Sequence, residues 1–544
     1  MGVGYNSLFI GVKPRVAPTG ENMATTQLTA AGPFVNEPLA DYRKPENAAA
    51  MRAAIEKVRK ELGREYPLVI GGQRIQTTEK IVSINPARPS EVVGIHQKAG
   101  ARHVEPAMQA ALAAFETWKH APVEQRAGLV FKVADILRKR KYEFNAWMVL
   151  EVGKNYDEAE ADTCEAIDFA ELYARQALQL AKAEPVVQLP GERDYFRYIA
   201  LGAGAVISPW NFPCAIALGM AMAAVAMGNT VILKPSSDSP TIAARFFDVF
   251  EEAGMPPGVV NFCPGAGATF GHGVVAHPKT RFIAFTGSRE VGLDIHTRAA
   301  ETQPGQVWIK RTVLEMGGKD TIIVDADANV DAAVEGVAAA AFSFQGQKCS
   351  ACSRAVVDGP IYDEFLEKLK ARVEKIQIGD PADNAPMGPV INEGAMKSIL
   401  NYIEVGKREG RLITGGSRAP GEGFNIQPTV IADIAPMARL SQEEIFGPVL
   451  AVIQGNGFDD LLAIANNTEF GLTGAVYTTS EEKIDRAMQD FHVGNLYINR
   501  KCTGAVVGAH PFGGFNMSGT DSKAGGPDYL YLFSQAKSIG RKLS

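Results

Sequence analysis

The sequence predicts an α/β protein with two parallel-sheet domains, and three observations carry that prediction. Short apolar runs at 205–208, 230–233, 259–262 and 282–285 alternate with helical stretches, the rhythm of βαβ units joined by right-handed crossovers. A second series begins near Val313 and runs through 321–324, 354–357, 449–453, 474–477 and 495–499. The length of 544 residues exceeds one ordinary domain of roughly 100–200 residues.

Each element follows from its local pattern. Residues 1–22 read as an upstream extension, because Met23 opens a second plausible start. The apolar stretch 8–12 is too short for a secretory signal, and Asn6 stands where myristoylation wants Ser or Thr. Lys13 and Arg15, with no acid before Glu21, leave an organelle-transit reading open. Residues 24–46 read as a surface arm. Met51, Ile55, Val58 and Leu62 stripe one face of a helix over 47–62. Strands at 68–70, 81–84 and 92–95 follow, with a Gly71-Gly72 turn. The pattern is helical from about 101 to 182. A hairpin over 186–200 turns at Pro190-Gly191. No charge occurs from Tyr198 to Leu233, but its small residues, prolines and glycines fit two buried strands around a buried helix better than a membrane span.

Composition excludes several classes of function. With 55 Lys+Arg against 61 Asp+Glu the net charge is −6, and without a long basic run nucleic-acid binding is not expected. The six cysteines are too scattered for a disulfide scaffold, which points to a reducing compartment: the cytoplasm, or the mitochondrial matrix in a eukaryote. The eight histidines form no metal-binding spacing, and no metal site is expected.

Ligands of open parallel sheets bind beyond the carboxyl ends of strands. Three such ends carry polar loops: Ser208-Pro209-Trp210-Asn211-Phe212-Pro213, Lys234-Pro235-Ser236-Ser237, and Thr286-Gly287-Ser288-Arg289. Gly287 there lets a phosphate approach a helix N-terminus. Ordinary turns are the competing reading for any one loop; their order along one sheet favours a nucleotide site. Gly265-Ala266-Gly267 lacks the dinucleotide spacing.

Cys349-Ser350-Ala351-Cys352 is a Cys-x-x-Cys, open to reading as a redox dithiol, half a metal site or buried structural cysteines. No second Cys-x-x-Cys completes a metal site. Cys349 closes the segment Phe344-Gln345-Gly346-Gln347-Lys348 after an Ala-rich helix, and a thiolate there is a strong nucleophile for a carbonyl carbon. Glu315, between an apolar strand and Gly317-Gly318, sits where a carboxyl pKa rises toward general-base range. A salt bridge to Lys319 or Lys310 is the competing reading.

Together these residues resemble the NAD(P)-dependent aldehyde dehydrogenase superfamily, from about residue 60 to the C-terminus. The resemblance rests on Pro-Trp-Asn-Phe (209–212), Lys-Pro-Ser (234–236), Phe-Thr-Gly-Ser (285–288), Leu-Glu-Met-Gly-Gly-Lys (314–319), Gly-Gln-Lys-Cys (346–349), Glu-Glu-Ile-Phe-Gly-Pro (443–448) and Pro-Phe-Gly-Gly-Phe-x-x-Ser-Gly (511–519). It implies two Rossmann-like domains plus a small oligomerisation element: an N-terminal arm (1–36), an NAD-binding domain (37–182 and 201–311), a catalytic domain (312–505), and oligomerisation elements (183–200 and 520–544). It also implies that Cys349 attacks the aldehyde, that Asn211 and the Cys349 N–H hold the oxyanion, and that Glu315 activates the hydrolytic water. Ser208, Pro209, Trp210, Lys234, Ser236, Ser237, Gly287, Ser288, Glu444 and Phe446 would hold the cofactor. Lys234 takes the adenosine ribose, Glu444 the nicotinamide ribose, and Trp210, Gly287 and Ser288 the pyrophosphate path. Many members carry Glu where this chain has Ser237; a serine does not repel a 2′-phosphate, so NAD is expected as the main cofactor with NADP also accepted.

Within the family the chain is most like the 1-pyrroline-5-carboxylate (L-glutamate γ-semialdehyde) dehydrogenase subfamily. The features are Ile309-Lys310-Arg311-Thr312, Lys348-Cys349-Ser350, 499–505 and 526–530. By that likeness Ser350, Gly504 and Ala505 bind the substrate carboxylate, Phe212 and Phe512 sandwich its stem, and Glu165 lies near the aldehyde site. A solvated helix-face charge is the competing reading for Glu165. The implied activity is oxidation of glutamate semialdehyde to glutamate in proline breakdown, by a homodimer or higher homo-oligomer. A separate proline dehydrogenase would be its partner enzyme. An aldehyde dehydrogenase for another semialdehyde and a non-catalytic family member stay open as alternatives.

Overall fold

The computed structural model describes residues 32–182 and 186–543; the expected extension over 1–22 and the arm before residue 32 lie outside the described residues. Two seven-stranded sheets organise the chain. The first runs Arg311–Glu315, Phe282–Thr286, Ala203–Ile207, Thr230–Lys234, Val260–Phe262, Leu68–Ile70, Gln73–Ile75 across its width, the first five parallel and the last two antiparallel. The second runs Arg411–Thr414, Thr429–Ala432, Val449–Gly455, Arg354–Asp358, Thr321–Val324, Thr473–Tyr477, Asn495–Ile498, parallel except at the Arg411–Thr414 edge. Helices cover both faces of such sheets, so the inner strands read as continuous apolar runs.

The uncharged stretch after Tyr198 becomes strand Ala203–Ile207, helix Ala215–Ala226 and strand Thr230–Lys234. The helix is apolar all round because it is buried almost all round, in one core cluster with helix Tyr156–Leu180. Among the described residues no helix is long and apolar enough to cross a membrane.

Strand order fixes where a ligand can sit. From Ala203–Ile207 the chain steps outward through Thr230–Lys234 and Val260–Phe262, then returns to lay Phe282–Thr286 on the other side of its starting strand. The crevice at that reversal is a topological switch point, and the loops beginning at Ser208 and Gly287 flank it.

Three expectations need correction. The second series is expected from Val313, but Arg311–Glu315 pairs with Phe282–Thr286 and belongs to the first sheet; the second sheet's first strand in chain order is Thr321–Val324. A five-residue apolar strand looks the same in either sheet, and only pairing decides. The 186–200 hairpin is not one: Glu192–Ala200 pairs along its full length with Ser534–Lys542, and residues 186–189 are irregular. Residues 183–185 lie outside the described residues. The helix expected over 47–62 spans Pro45–Arg59, since Pro at its N-terminus is compatible with a helix start and Leu62 falls beyond the end. Strands Arg411–Thr414 and Thr429–Ala432 went unforeseen, being four residues each among loop-like sequence.

A buried ion pair anchors the loop that carries Asn211. Lys154 Nζ and Asp162 Oδ2 lie 2.9 Å apart with both side chains fully buried. The Lys154 ammonium sits 3.7 Å from the Phe212 ring centroid and 4.9 Å from that of Phe344. Asp162 also accepts the Ala215 N–H at 2.7 Å, at the start of the following helix. Removing one partner strands the other charge in the core, at a cost of roughly 3–5 kcal/mol. Lys154→Met is therefore expected to lower the urea midpoint of unfolding sharply, and Lys154→Met/Asp162→Asn to recover much of the loss. Equal midpoints for wild type and Lys154→Met would contradict the account.

Candidate active site

Glu315 is the last residue of strand Arg311–Glu315, so the sheet delivers its carboxyl to the carboxyl edge. The 511–519 motif is clamped against this strand: Met316 N–H donates to the Ser518 carbonyl at 2.8 Å, and Thr520 N–H to the Leu314 carbonyl at 3.0 Å. That clamp brings up the Ser522 hydroxyl, which donates to Glu315 Oε1, while buried Oε2 has no protein partner. Burial raises the Glu315 pKa to about 8, and the Ser522 bond and the Lys523 charge only partly oppose it. The salt-bridge reading fails: Lys310 Nζ donates to the Val275 and Ala276 carbonyls at 2.8 and 2.9 Å, and buried Lys319 Nζ has no hydrogen-bond partner among the described residues.

The nucleophile segment is held in an unusual backbone conformation. Phe344 and Gln345 have φ of 48° and 57°, the left-handed region that costs non-glycine residues energy. Their surroundings fix it: Gln345 Nε2 donates to the Pro389 and Gly153 carbonyls at 2.7 and 3.2 Å, and Gln347 Oε1 accepts the Ile391 N–H at 2.9 Å. Asn211 Nδ2 donates to the Gln347 carbonyl at 3.1 Å, tying the first sheet's loop to the chain two residues before Cys349. Glycine at 318 permits a close backbone approach, since a Cβ there would stand 2.7 Å from the Cys349 carbonyl.

Cys349 and Glu315 line one cavity of about 510 Å³. Glu165, Phe212, Ser350, Gly504, Ala505 and Phe512 line it as well, so the structure brings the expected substrate residues together. Glu165 is not a solvated charge: burial, with Asp162 nearby, raises its pKa to about 8. A thiolate at Cys349 is the reactive form rather than the resting one. Burial, and then the charges of Asp320, Glu444, Glu315 and Glu165, push the thiol above its ordinary range, so the resting group is protonated. Cys352 is buried with its thiol on the Arg354 carbonyl at 3.2 Å, whereas Cys349 lines the cavity.

The expected cofactor residues gather at the switch point and its neighbours. Ser208 Oγ is buried without a partner. Burial lowers the Lys234 pKa to about 8, and its ammonium donates to the Pro235 carbonyl at 3.3 Å. Ser236 Oγ accepts the Asp238 N–H, and Ser237 is exposed. Ser288, next to Gly287, caps helix Arg289–Ala300 by accepting the Val291 N–H. Glu444 accepts the Gly318 N–H at 3.1 Å, and burial raises its pKa to about 7. Trp210, next to Pro209, meets Phe446 edge-on at 5.5 Å. An orphaned hydroxyl, a desolvated ammonium and a buried carboxylate fit a polar, hydroxyl-rich ligand.

Sequence reasoning missed Ser522, which is 207 residues from the carboxyl it touches. It also missed the Lys348–Glu158 ion pair of 2.7 Å beside the nucleophile, and Asn36 and Asp168 in the cavity wall. Lys348 lies in the nucleophile motif, but its partner Glu158 and the other residues do not, and only the folded chain juxtaposes them.

The fold and this site define an enzyme of the aldehyde dehydrogenase type, and the chain belongs to the aldehyde dehydrogenase family, whose family model matches residues 74–539. It is 55% identical over 508 residues, 93% of this chain and 99% of the relative, to the 1-pyrroline-5-carboxylate dehydrogenase of Geobacillus thermodenitrificans. Among solved structures it is similar to a 1-pyrroline-5-carboxylate dehydrogenase from Thermus with bound NAD: TM-score 0.93 and 50% identity over 94% of this chain and all of that one. It is also similar to proline utilization A from Bdellovibrio bacteriovorus, with TM-score 0.93 and 44% identity over 94% of this chain and 53% of that longer one.

The Ser522 bond holds the Glu315 pKa below where burial alone would put it. Ser522→Ala is therefore expected to raise that pKa further and shift the acid limb of the kcat–pH profile to higher pH. Turnover should fall severalfold at neutral pH and recover in alkali. An unshifted limb would remove Ser522 from this role.

Proposed function

We propose that this protein oxidises L-glutamate γ-semialdehyde, the open form of 1-pyrroline-5-carboxylate, to L-glutamate with NAD as hydride acceptor. The observation that carries the reading is the cavity that joins Cys349 and Glu315 to the Ser350 and Gly504–Ala505 donors, with Glu165 on its wall. Neutral donors suit a carboxylate, and an ammonium beside Glu165 favours the charged form that burial disfavours. A substrate bearing both, with an aldehyde at the far end of a short stem between Phe212 and Phe512, uses every one of these groups.

The chemistry follows from the protonation states. The Cys349 thiol gives up its proton to solvent as sulfur bonds the aldehyde carbon. The Asn211 amide and the Cys349 N–H stabilise the oxygen that takes up the charge. When bound, the nicotinamide cofactor accepts the hydride from that carbon, leaving the acyl group on sulfur as a thioester. Glu315 then removes a proton from water as its oxygen attacks the thioester carbon. The carbon–sulfur bond breaks, the acid leaves, and Glu315 returns its proton to the Cys349 sulfur. Ser208, Lys234, Ser236, Ser237, Gly287, Ser288, Glu444 and Phe446, with Pro209 and Trp210, would hold the cofactor.

The two-stranded ribbon of Glu192–Ala200 and Ser534–Lys542 supports self-association, because it is largely exposed and an unpaired strand edge invites another strand. We read the assembly as a homo-oligomer in the cytoplasm. A proline dehydrogenase would supply the substrate.

A panel of aldehydes followed by NADH absorbance tests the reading, run with NAD and NADP. Glutamate semialdehyde is expected to exceed succinate semialdehyde and simple aldehydes in kcat/KM by at least about tenfold, the return on one or two extra hydrogen bonds to charged groups. Cys349→Ala should abolish turnover while NAD still binds. A wild type indifferent to the α-amino and α-carboxylate groups would overturn the substrate assignment.

A further inference from the structure

The stretch from Phe34 to Leu39 is not a free arm. Asn36 Nδ2 donates to Asp168 Oδ2 at 2.8 Å and to the Val507 carbonyl at 3.0 Å, joining helix Tyr156–Leu180 to the loop that carries Gly504 and Ala505. The Glu37 backbone N–H donates to the other oxygen of Asp168 at 2.7 Å. Phe34 packs on the far side of the same loop, where a Cβ at Gly508 would meet its ring at 3.1 Å. The Glu37 carboxylate is almost buried and accepts Arg138 Nε at 2.7 Å, fixing the segment from a third direction. Asn36, Glu37 and Leu39 all line the cavity that holds Cys349.

We propose that Asn36 is a positioning residue for the substrate: by bridging Asp168 to the Val507 carbonyl it holds the Gly504–Ala505 N–H groups at the cavity, and the segment Asn36–Leu39 forms one wall of the substrate site. The inference rests on the proposed function, in which those N–H groups take the substrate carboxylate. Val507 is only two residues beyond Ala505, so a bond at its carbonyl restrains the Gly504–Ala505 stretch from close by. Asn36 supplies that bond and ties it to Asp168 with the same amide group. Since the loop meets the carboxylate rather than the aldehyde, its loosening weakens binding and leaves the chemical step intact.

Asn36→Ala tests this in the full chain. KM for glutamate semialdehyde is expected to rise about tenfold, the factor that one or two lost hydrogen bonds correspond to. kcat, KM for NAD, and kcat/KM for pentanal, which has no carboxylate, should stay near wild type. Asn36→Ser, whose hydroxyl reaches one acceptor at most, should show the same split at smaller size, and it stands in if the alanine variant does not fold. Unchanged KM for glutamate semialdehyde in a wild type that prefers it would overturn the role of Asn36 alone. An equal loss with pentanal would show general loosening and overturn it too. A wild type that does not prefer the carboxylated aldehyde removes the proposed function, and this inference with it.

Discussion

Glu315 ends a paired strand with one oxygen on Ser522, no salt bridge, and a burial that leaves its acid form favoured up to about pH 8. Much of the site's architecture serves that environment. The 511–519 segment closes over the strand, Lys310 is drawn away to backbone carbonyls, and the buried Lys319 ammonium forms no ion pair with the carboxyl among the described residues. A cation placed against Glu315 would hold it permanently ionised and cost it the proton affinity a base needs. The same desolvation keeps the Cys349 thiol protonated. Two neutral acids sharing a cavity are therefore the resting state, and turnover requires both to give up their protons, the thiol to bond the aldehyde carbon and the carboxyl to act as base.

Two sheets must converge for those groups to share a cavity. Glu315 belongs to the first sheet by pairing, and Cys349 precedes strand Arg354–Asp358 of the second. The join is made by side chains that report nothing locally. Asn211 bonds the Gln347 carbonyl, Gln345 bonds carbonyls at 153 and 389, and the Lys154 ammonium lies against both Phe212 and Phe344. Strained φ angles at Phe344 and Gln345 are maintained only because these partners over-determine them.

The chemistry-bearing residues were legible in the sequence because each sits in a loop at a strand end or before a Gly-rich turn, where turn and cap requirements leave a pattern. Strand–helix alternation likewise foretold most inner strands, whose apolar runs are dictated by burial on both faces. What was not legible is pairing. Nothing in Arg311–Glu315 says which sheet it joins, and Glu192–Ala200 looks like half of a hairpin until its partner arrives from more than 330 residues away. Ser522, Asn36 and Asp168 were invisible for the same reason: a serine, an asparagine and an aspartate acquire meaning only from what the fold sets beside them.

The central claim is that Cys349 carries the acyl group and Glu315 activates the water that removes it. Peptide mass spectrometry tests it most directly, on Glu315→Gln quenched in acid during turnover with glutamate semialdehyde and NAD. The account predicts a glutamyl thioester on the Cys349 peptide, accumulating as deacylation stalls. An unmodified Cys349, or an adduct on another residue, in a variant that still forms NADH would contradict it.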